Sequence, residues 1–191
     1  MTDLHTIPGF LDPATRDAVD AELRASAGAA STVLSARMAG GMVHDRVRRS
    51  TRVAVSPETR ERVKRMLMER KGELEERFGV SLTECEDPQF LRYREGDFFV
   101  PHQDGNTPMV FDDSRFRRVS AVVFVTPKSE QPAEGTYGGG ELVFHGAYNR
   151  PSEPVSAQAD PGTLVAFRSE ITHEVTPVTH GERYTIVSWF R

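Results

Sequence analysis

The chain has 191 residues, with 24 Lys and Arg against 28 Asp and Glu and a net charge of −4. That length fits one domain able to bury roughly 70% of its unfolded surface, and the acidic balance argues against a generic nucleic-acid or anionic-membrane binder. The single Cys85 excludes an intrachain disulfide, and no apolar run approaches the ~18 residues of a membrane span. The opening MTDLHTIPGF lacks a basic stretch followed by an apolar one, so no signal peptide is expected and a cytoplasmic location is the default.

The apolar run IPGFL at 7–11 is closed by Asp12 and Pro13, a helix N-cap followed by proline at the first helical position. A helix over 13–25 follows, with Ala14, Ala18, Val19 and Leu23 at helical spacing. Residues 28–50 are rich in Gly, Ser and Arg, with strand-like runs at 31–37 and 51–55. Between them, 38–49 reads as a mobile loop carrying Arg46, Arg48 and Arg49, either placed for substrate or simply solvated. The clearest helix runs from Pro57 to Phe78 and stops at Gly79, with Val63, Met66, Leu67, Leu74 and Phe78 as its core stripe. From Leu82 onward the pattern changes to short strands, expected at 84–94, 97–104, 117–126, 139–146, 154–158, 162–168, 173–178 and 182–190. These imply a sandwich or jelly roll with helices outside it, the support spanning about 1–80 and the β core about 82–191 of a single domain.

The chemistry concentrates at LRYREGDFFVPHQD, 91–104. On a strand, His102 and Asp104 share a face, giving two thirds of a 2-His-1-carboxylate triad that holds a non-haem Fe(II) and leaves positions open. A lone His-x-Asp is weak, because six His and 11 Asp produce one by chance about one time in three. The second cluster raises its weight. His173 is the best third ligand, ahead of His145, while His5, His44 and His180 read as surface or loop histidines. Arg183, Thr185, Val187 and Trp189 alternate onto one face of the last strand. If that face is inward, Arg183 is a buried guanidinium that needs an anionic partner, and its planar fork suits a carboxylate. A metal triad beside such an arginine is what a chelating dicarboxylate such as 2-oxoglutarate requires, with Thr185 and Tyr93 as further donors. Trp189 reads as core, at the floor of the site.

Five segments, in order, resemble the Fe(II)/2-oxoglutarate dioxygenase superfamily in its prolyl 4-hydroxylase-like branch. They are IPGFL, YREGDFFVPHQD at 93–104, GGGELVF at 138–144, PGTLVAF at 161–167, and HEVTPV with ERYTIVSWF at 173–190. The resemblance implies a mainly β fold with flanking helices around a double-stranded β-helix, the cupin-like jelly roll. It implies His102, Asp104 and His173 as iron ligands and Arg183, assisted by Tyr93, as the grip on the distal carboxylate of 2-oxoglutarate. It further implies O2 as oxidant, ascorbate as a candidate reductant, and hydroxylation of an aliphatic C–H with release of succinate and CO2. Phe99 stands where the family often has Tyr, and the retained Asp104 favours oxygenation over halogenation. A prolyl peptide, a free amino acid or a related small molecule is the expected substrate, with neither membrane nor nucleic acid as partner. Arg46, Arg48, Arg49, Phe99 and Trp189 are the candidate substrate contacts, and the segments 38–49, 105–116 and 128–138 the candidate lids. Two other readings use the same ligands: a non-catalytic cupin-like metal-binding or sensor module, and a Zn-dependent hydrolase. Neither needs an inward arginine at 183.

Overall fold

The computed structural model describes residues 4–26, 28–30, 33–35, 38–42, 46–108, 112–147, 149–157 and 159–191. It begins with strand β1 (Leu4–Ile7) and helix α1 (Pro13–Ala25). The Asp12 carboxylate accepts from the Thr15 amide at 3.0 Å and from its hydroxyl at 2.5 Å, closing the first turn. The buried stripe of α1 is Thr15, Val19 and Leu23, one residue in every four, so Ala14 and Ala18 face solvent instead of the core.

Short strands follow: β2 (Gly28–Ala30), β3 (Val33–Ser35), β4 (Met38–Met42), β5 (Arg48–Arg49) and β6 (Thr51–Val53). The stretch 38–49 is therefore not one loop, because β4 pairs with β3 and β5 pairs with a strand of the site. The long helix is two, α2 (Pro57–Glu69) and α3 (Lys71–Phe78). Arg70, at φ −89° and ψ −4°, caps the first and opens the second, and Gly79 ends α3 in the left-handed region at φ 61°. Val63 and Leu67 before the break and Leu74 and Phe78 after it are all buried. The apolar stripe is thus unbroken, and sequence periodicity passes over a break made in the backbone.

The remaining elements are β7 (Gln89–Arg94), β8 (Phe98–His102), a 3-10 turn (Asp113–Phe116), β9 (Val119–Phe124), β10 (Tyr137–Gly139), β11 (Leu142–Ala147), β12 (Arg150–Ser156), β13 (Leu164–Arg168), β14 (Ile171–Val175) and β15 (Val178–Phe190). Gly139 and Gly140, at φ 63° and 57°, split the strand expected over 139–146 into β10 and β11. The expected strand at 173–178 is β14 with the start of β15.

All strand pairing within these sheets is antiparallel. One sheet runs β1-β13-β9-β15-β7-β6-β2 with β10 on β15, and the other runs β12-β11-β14-β8-β5. Together they form the jelly roll. The larger sheet is covered on both faces, which is why β9 (VSAVVF) is buried at every position. Its outer face packs Phe90, Ala121, Val123, Tyr184, Ile186 and Phe190 against the helices through Leu23, Val63, Leu67, Leu74 and Phe78. Its inner face sets Leu91, Tyr93, Val122, Phe124 and Val165 against Leu142, Phe144, Ile171 and Val175. Side chains alternate faces along a strand, so Leu91, Tyr93 and Arg183, Thr185 come to the interior between the sheets.

Candidate metal centre

β8 ends at His102, and β14 pairs with it so that His173 lies directly opposite. Asp104 stands two residues past the end of β8, not on the strand, and the amides of Asp104 and Gly105 both donate to the carbonyl of Ser169, at 3.0 and 3.1 Å. A Cβ at Gly105 would lie 2.2 Å from the carbonyl oxygen of Ser114, so the turn that swings Asp104 toward the histidines accepts only glycine there. The result is a group of one carboxylate and two imidazoles with ligand atoms all within 4.8 Å of one another.

Each ring is fixed by the same device. His102 Nδ1 lies 2.8 Å from the carbonyl of Val100, and His173 Nδ1 lies 2.9 Å from that of Ile171, two residues back on the same strand. With Nδ1–H donated to a carbonyl, the Nε2 lone pair of each ring is left for a metal. The two Nε2 atoms approach Asp104 from either side, His102 at 3.6 Å from Oδ1 and His173 at 3.5 Å from Oδ2. Ser120 Oγ donates to Asp104 Oδ2 at 2.8 Å and sits 3.0 Å from Ser169 Oγ. Burial raises the Asp104 carboxyl, yet the adjacent His173 and His102 outweigh it and hold the group well below the usual carboxylate range. Burial and the neighbouring His102 push His173 down to about 4, against the opposing pull of Asp104. A deprotonated carboxylate and a neutral imidazole are the forms that bind a metal.

Aromatic rings wall the centre. Phe99 stacks on His102 with centroids 3.5 Å apart, and Phe167 meets His173 edge-on at 4.6 Å. The three donors on one side and the open remainder suit a divalent metal of the non-haem iron type.

Arg183 is 1% exposed. It lies opposite Tyr93 in the β15–β7 register, with its guanidinium 5.3 Å from the Tyr93 and Phe124 rings and 5.9 Å from Tyr137. Among the described residues its one hydrogen bond is a long 3.4 Å contact from Nη1 to Thr185 Oγ1, and Nε and Nη2 are buried with no partner there. A buried guanidinium left in that state is unfavourable, and its free edge asks for an anion with two oxygens. Gly140 makes room for it, since a Cβ there would come within 2.8 Å of Arg183 Cδ.

The expected substrate residues separate. Arg48 is buried, donates from Nε to Ser50 Oγ at 2.9 Å and lies 4.8 Å over Phe99, extending the stack that begins at His102. Arg49 pairs with the other face of β8, 5.9 Å over Phe98, and Arg46 is exposed. Trp189 is buried and is stacked by Arg117 at 3.7 Å. Among the other histidines, His145 binds Glu174 at 2.9 Å and His5 binds Glu73 at 2.7 Å, while His44 lies outside the described residues. Sequence reasoning missed Ser120, Ser169, Glu86 and Arg117. Ser120 carried a trace, as the one polar residue in the apolar run VSAVVF.

Residues 88–191 match the family model of the 2OG-Fe(II) oxygenase superfamily. A PKHD-type hydroxylase of Paracoccus denitrificans is 38% identical over 104 residues, 53% of this chain and 41% of that protein. A PKHD-type hydroxylase of Shewanella oneidensis is 35% identical over 104 residues, 54% and 42% of the two chains. The chain thus matches less than half the length of these relatives. In fold it is similar to a Pseudomonas putida prolyl-4-hydroxylase, with a TM-score of 0.71 at 24% identity over 100% of this chain and 93% of that one. A Trichoplax adhaerens prolyl hydroxylase solved with a hypoxia inducible factor peptide gives 0.70 at 18% identity, over 100% and 84%. With the family match spanning more than half of its residues and the triad in place, the chain belongs to the 2OG-Fe(II) oxygenase superfamily, whose members use Fe(II), 2-oxoglutarate and O2.

Proposed function

We propose that this chain is, as one domain, an Fe(II)- and 2-oxoglutarate-dependent hydroxylase acting on an aliphatic C–H of a prolyl peptide, an amino acid or a related small molecule. Ferrous iron held by His102, Asp104 and His173 would supply the redox chemistry that couples decarboxylation of 2-oxoglutarate, to succinate and CO2, with oxygen insertion into the substrate. The protein's own work is positional. The carbonyls of Val100 and Ile171 hold the two imidazoles in the metal-binding tautomer, and the Ser120 hydroxyl fixes the carboxylate by donating to it. Arg183, with Thr185 behind it, orients the distal carboxylate, and the Tyr93 ring encloses the same end. Phe99, Phe144 and Phe167 exclude water from the centre.

The observation that carries this reading is the pair of orphaned nitrogens on Arg183. A metal-binding sensor or a zinc hydrolase built on the same triad gives them no use, whereas a chelating dicarboxylate fills them. A peptide or amino-acid substrate is supported by the named hydroxylase relatives and the prolyl-hydroxylase-like fold. The test is anaerobic addition of Fe(II) and 2-oxoglutarate, which should give the weak visible charge-transfer band of the chelate, followed in air by succinate release stimulated by one member of a peptide and metabolite panel. No band and no succinate would defeat the proposal.

A further inference from the structure

Ser169, in the turn between β13 and β14, is fully buried, and each of its polar groups is spent on the segments that carry Asp104 and Ser120. Its amide donates at 3.0 Å to the carbonyl of Arg118, the residue that leads into β9. Its carbonyl takes the amides of Asp104 and Gly105, where the chain has run past the end of β8. Its hydroxyl lies 3.0 Å from that of Ser120, which stands on β9, is itself buried, and donates to Asp104 Oδ2 at 2.8 Å. The next residue of the turn, Glu170, accepts from Asn106 Nδ2 at 3.1 Å, where Asn106 holds a left-handed φ of 54°. The ligand segment 104–106 is thus tied to one turn through its backbone, through the Asn106 side chain and, by way of Ser120, through the carboxylate itself.

Counting protons sets the direction of the serine pair. A hydroxyl has one proton to give and an ionised carboxylate has none, so the Ser120 proton lies on Asp104 Oδ2 and the Ser169 proton lies on Ser120 Oγ. From this arrangement we propose that Ser169 is a positioning residue for the metal-binding carboxylate, acting through the Ser120 hydroxyl. The inference rests on the reading of His102, Asp104 and His173 as a metal site. Two physical effects support it. Donation from Ser169 polarises the Ser120 O–H and strengthens its bond to Asp104, and it removes the alternative in which Ser120 turns its proton toward Ser169. Asp104 stands off the ladder that fixes His102 and His173, so its orientation depends on such bonds. Both hydroxyls are neutral, so they orient the carboxylate without setting on its oxygens a positive charge that would compete with a metal.

The experiment is a double-mutant cycle on Mn(II) binding, read from the free-ion EPR signal of the full chain without 2-oxoglutarate, with folding of each apoprotein followed by circular dichroism. Ser120→Ala removes the donor on Asp104 and should weaken Mn(II) binding about tenfold, the low end of what partners of metal ligands contribute. Ser169→Ala keeps the backbone carbonyl, loses only the hydroxyl, and should weaken binding roughly threefold, the scale of one neutral hydrogen bond. In the Ser120→Ala background the same change should alter affinity less than about 1.5-fold, because the route to the carboxylate is already cut. If Ser169→Ala does not fold, Ser169→Cys, which leaves a weaker donor at the same place, completes the cycle with a smaller loss of the same pattern. A turn that was merely loosened would lose affinity equally in both backgrounds. That result, or unchanged affinity in a folded Ser169 variant, would overturn the proposal. A wild-type chain that binds no Mn(II) would instead overturn the metal site itself, and the role of Ser169 with it.

Discussion

His102 and His173 face each other across the β8–β14 ladder with their imidazole centroids 4.2 Å apart and tilted by 52°. Both Nε2 atoms lie beside the Asp104 carboxylate, at 3.6 and 3.5 Å. His102, on the more open side of the centre, can therefore be removed without breaking the core. His102→Ala is expected to lower Mn(II) affinity by at least a hundredfold while the far-UV spectrum of the apoprotein is retained. Titration calorimetry of the two chains checks this, and equal affinities would refute the ligand assignment.

Arg183 gives the opposite signature. Two of its nitrogens are buried and unsatisfied, so Arg183→Met exchanges an uncompensated buried charge for an apolar chain of similar length. Apoprotein stability should rise, by about 1–3 kcal/mol on the scale found when buried ionic groups are replaced by apolar ones. The rise in melting temperature that 2-oxoglutarate with Mn(II) gives the wild-type chain should disappear in the variant. Denaturant unfolding with and without the two ligands measures both effects. A destabilised apoprotein, or a preserved ligand response, would count against Arg183 as the carboxylate grip.

The grouping of the inner residues was legible in the sequence where it follows from strand alternation. Strand alternation put Arg183, Thr185 and Trp189 on one face, and the order of His102, Asp104, His173 and Arg183 survived into three dimensions. The support of the site was not legible. Glu86 and Arg117 pair from 31 residues apart, and neither sits in a pattern that distinguishes it from surface charge. Their meaning comes from the fold, which brings the start of β7, the approach to β9 and the end of β15 together. Arg48 and Arg49 show the same limit, since a two-residue strand sends neighbours in a basic run to opposite faces of β8.

Glu86 also sets an acid limit on stability. Burial raises its carboxyl, but hydrogen bonds and charge from Arg117 and Arg191 prevail and hold it below the usual glutamate value. Its folded pKa is therefore below the unfolded one, near 4.3. The stabilisation is fully present above the unfolded value and is lost as pH falls through the folded one. Glu86→Gln should lower stability at pH 7 and flatten the decline between about pH 5 and pH 3. Urea unfolding across that range reads the slope, and parallel curves for the two chains would exclude Glu86 as a source of acid sensitivity.

Cys85 is a nearby group that the chemistry does not use. It is 4% exposed, its sulfur lies 3.0 Å from Ser188 Oγ, and burial pushes the thiol up to about 11. Only the thiolate reacts with alkylating agents, and at pH 8 this thiol is almost wholly protonated as well as covered. Iodoacetamide should modify the native chain at pH 8 more than a hundredfold slower than the chain in denaturant, with Ser188→Ala leaving the rate slow because burial is the main cause. Mass spectrometry of timed samples gives both rates. Native alkylation as fast as that of the unfolded chain would mean that the segment before β7 opens on its own, and would detach Glu86, one residue further on, from Arg117 and Arg191.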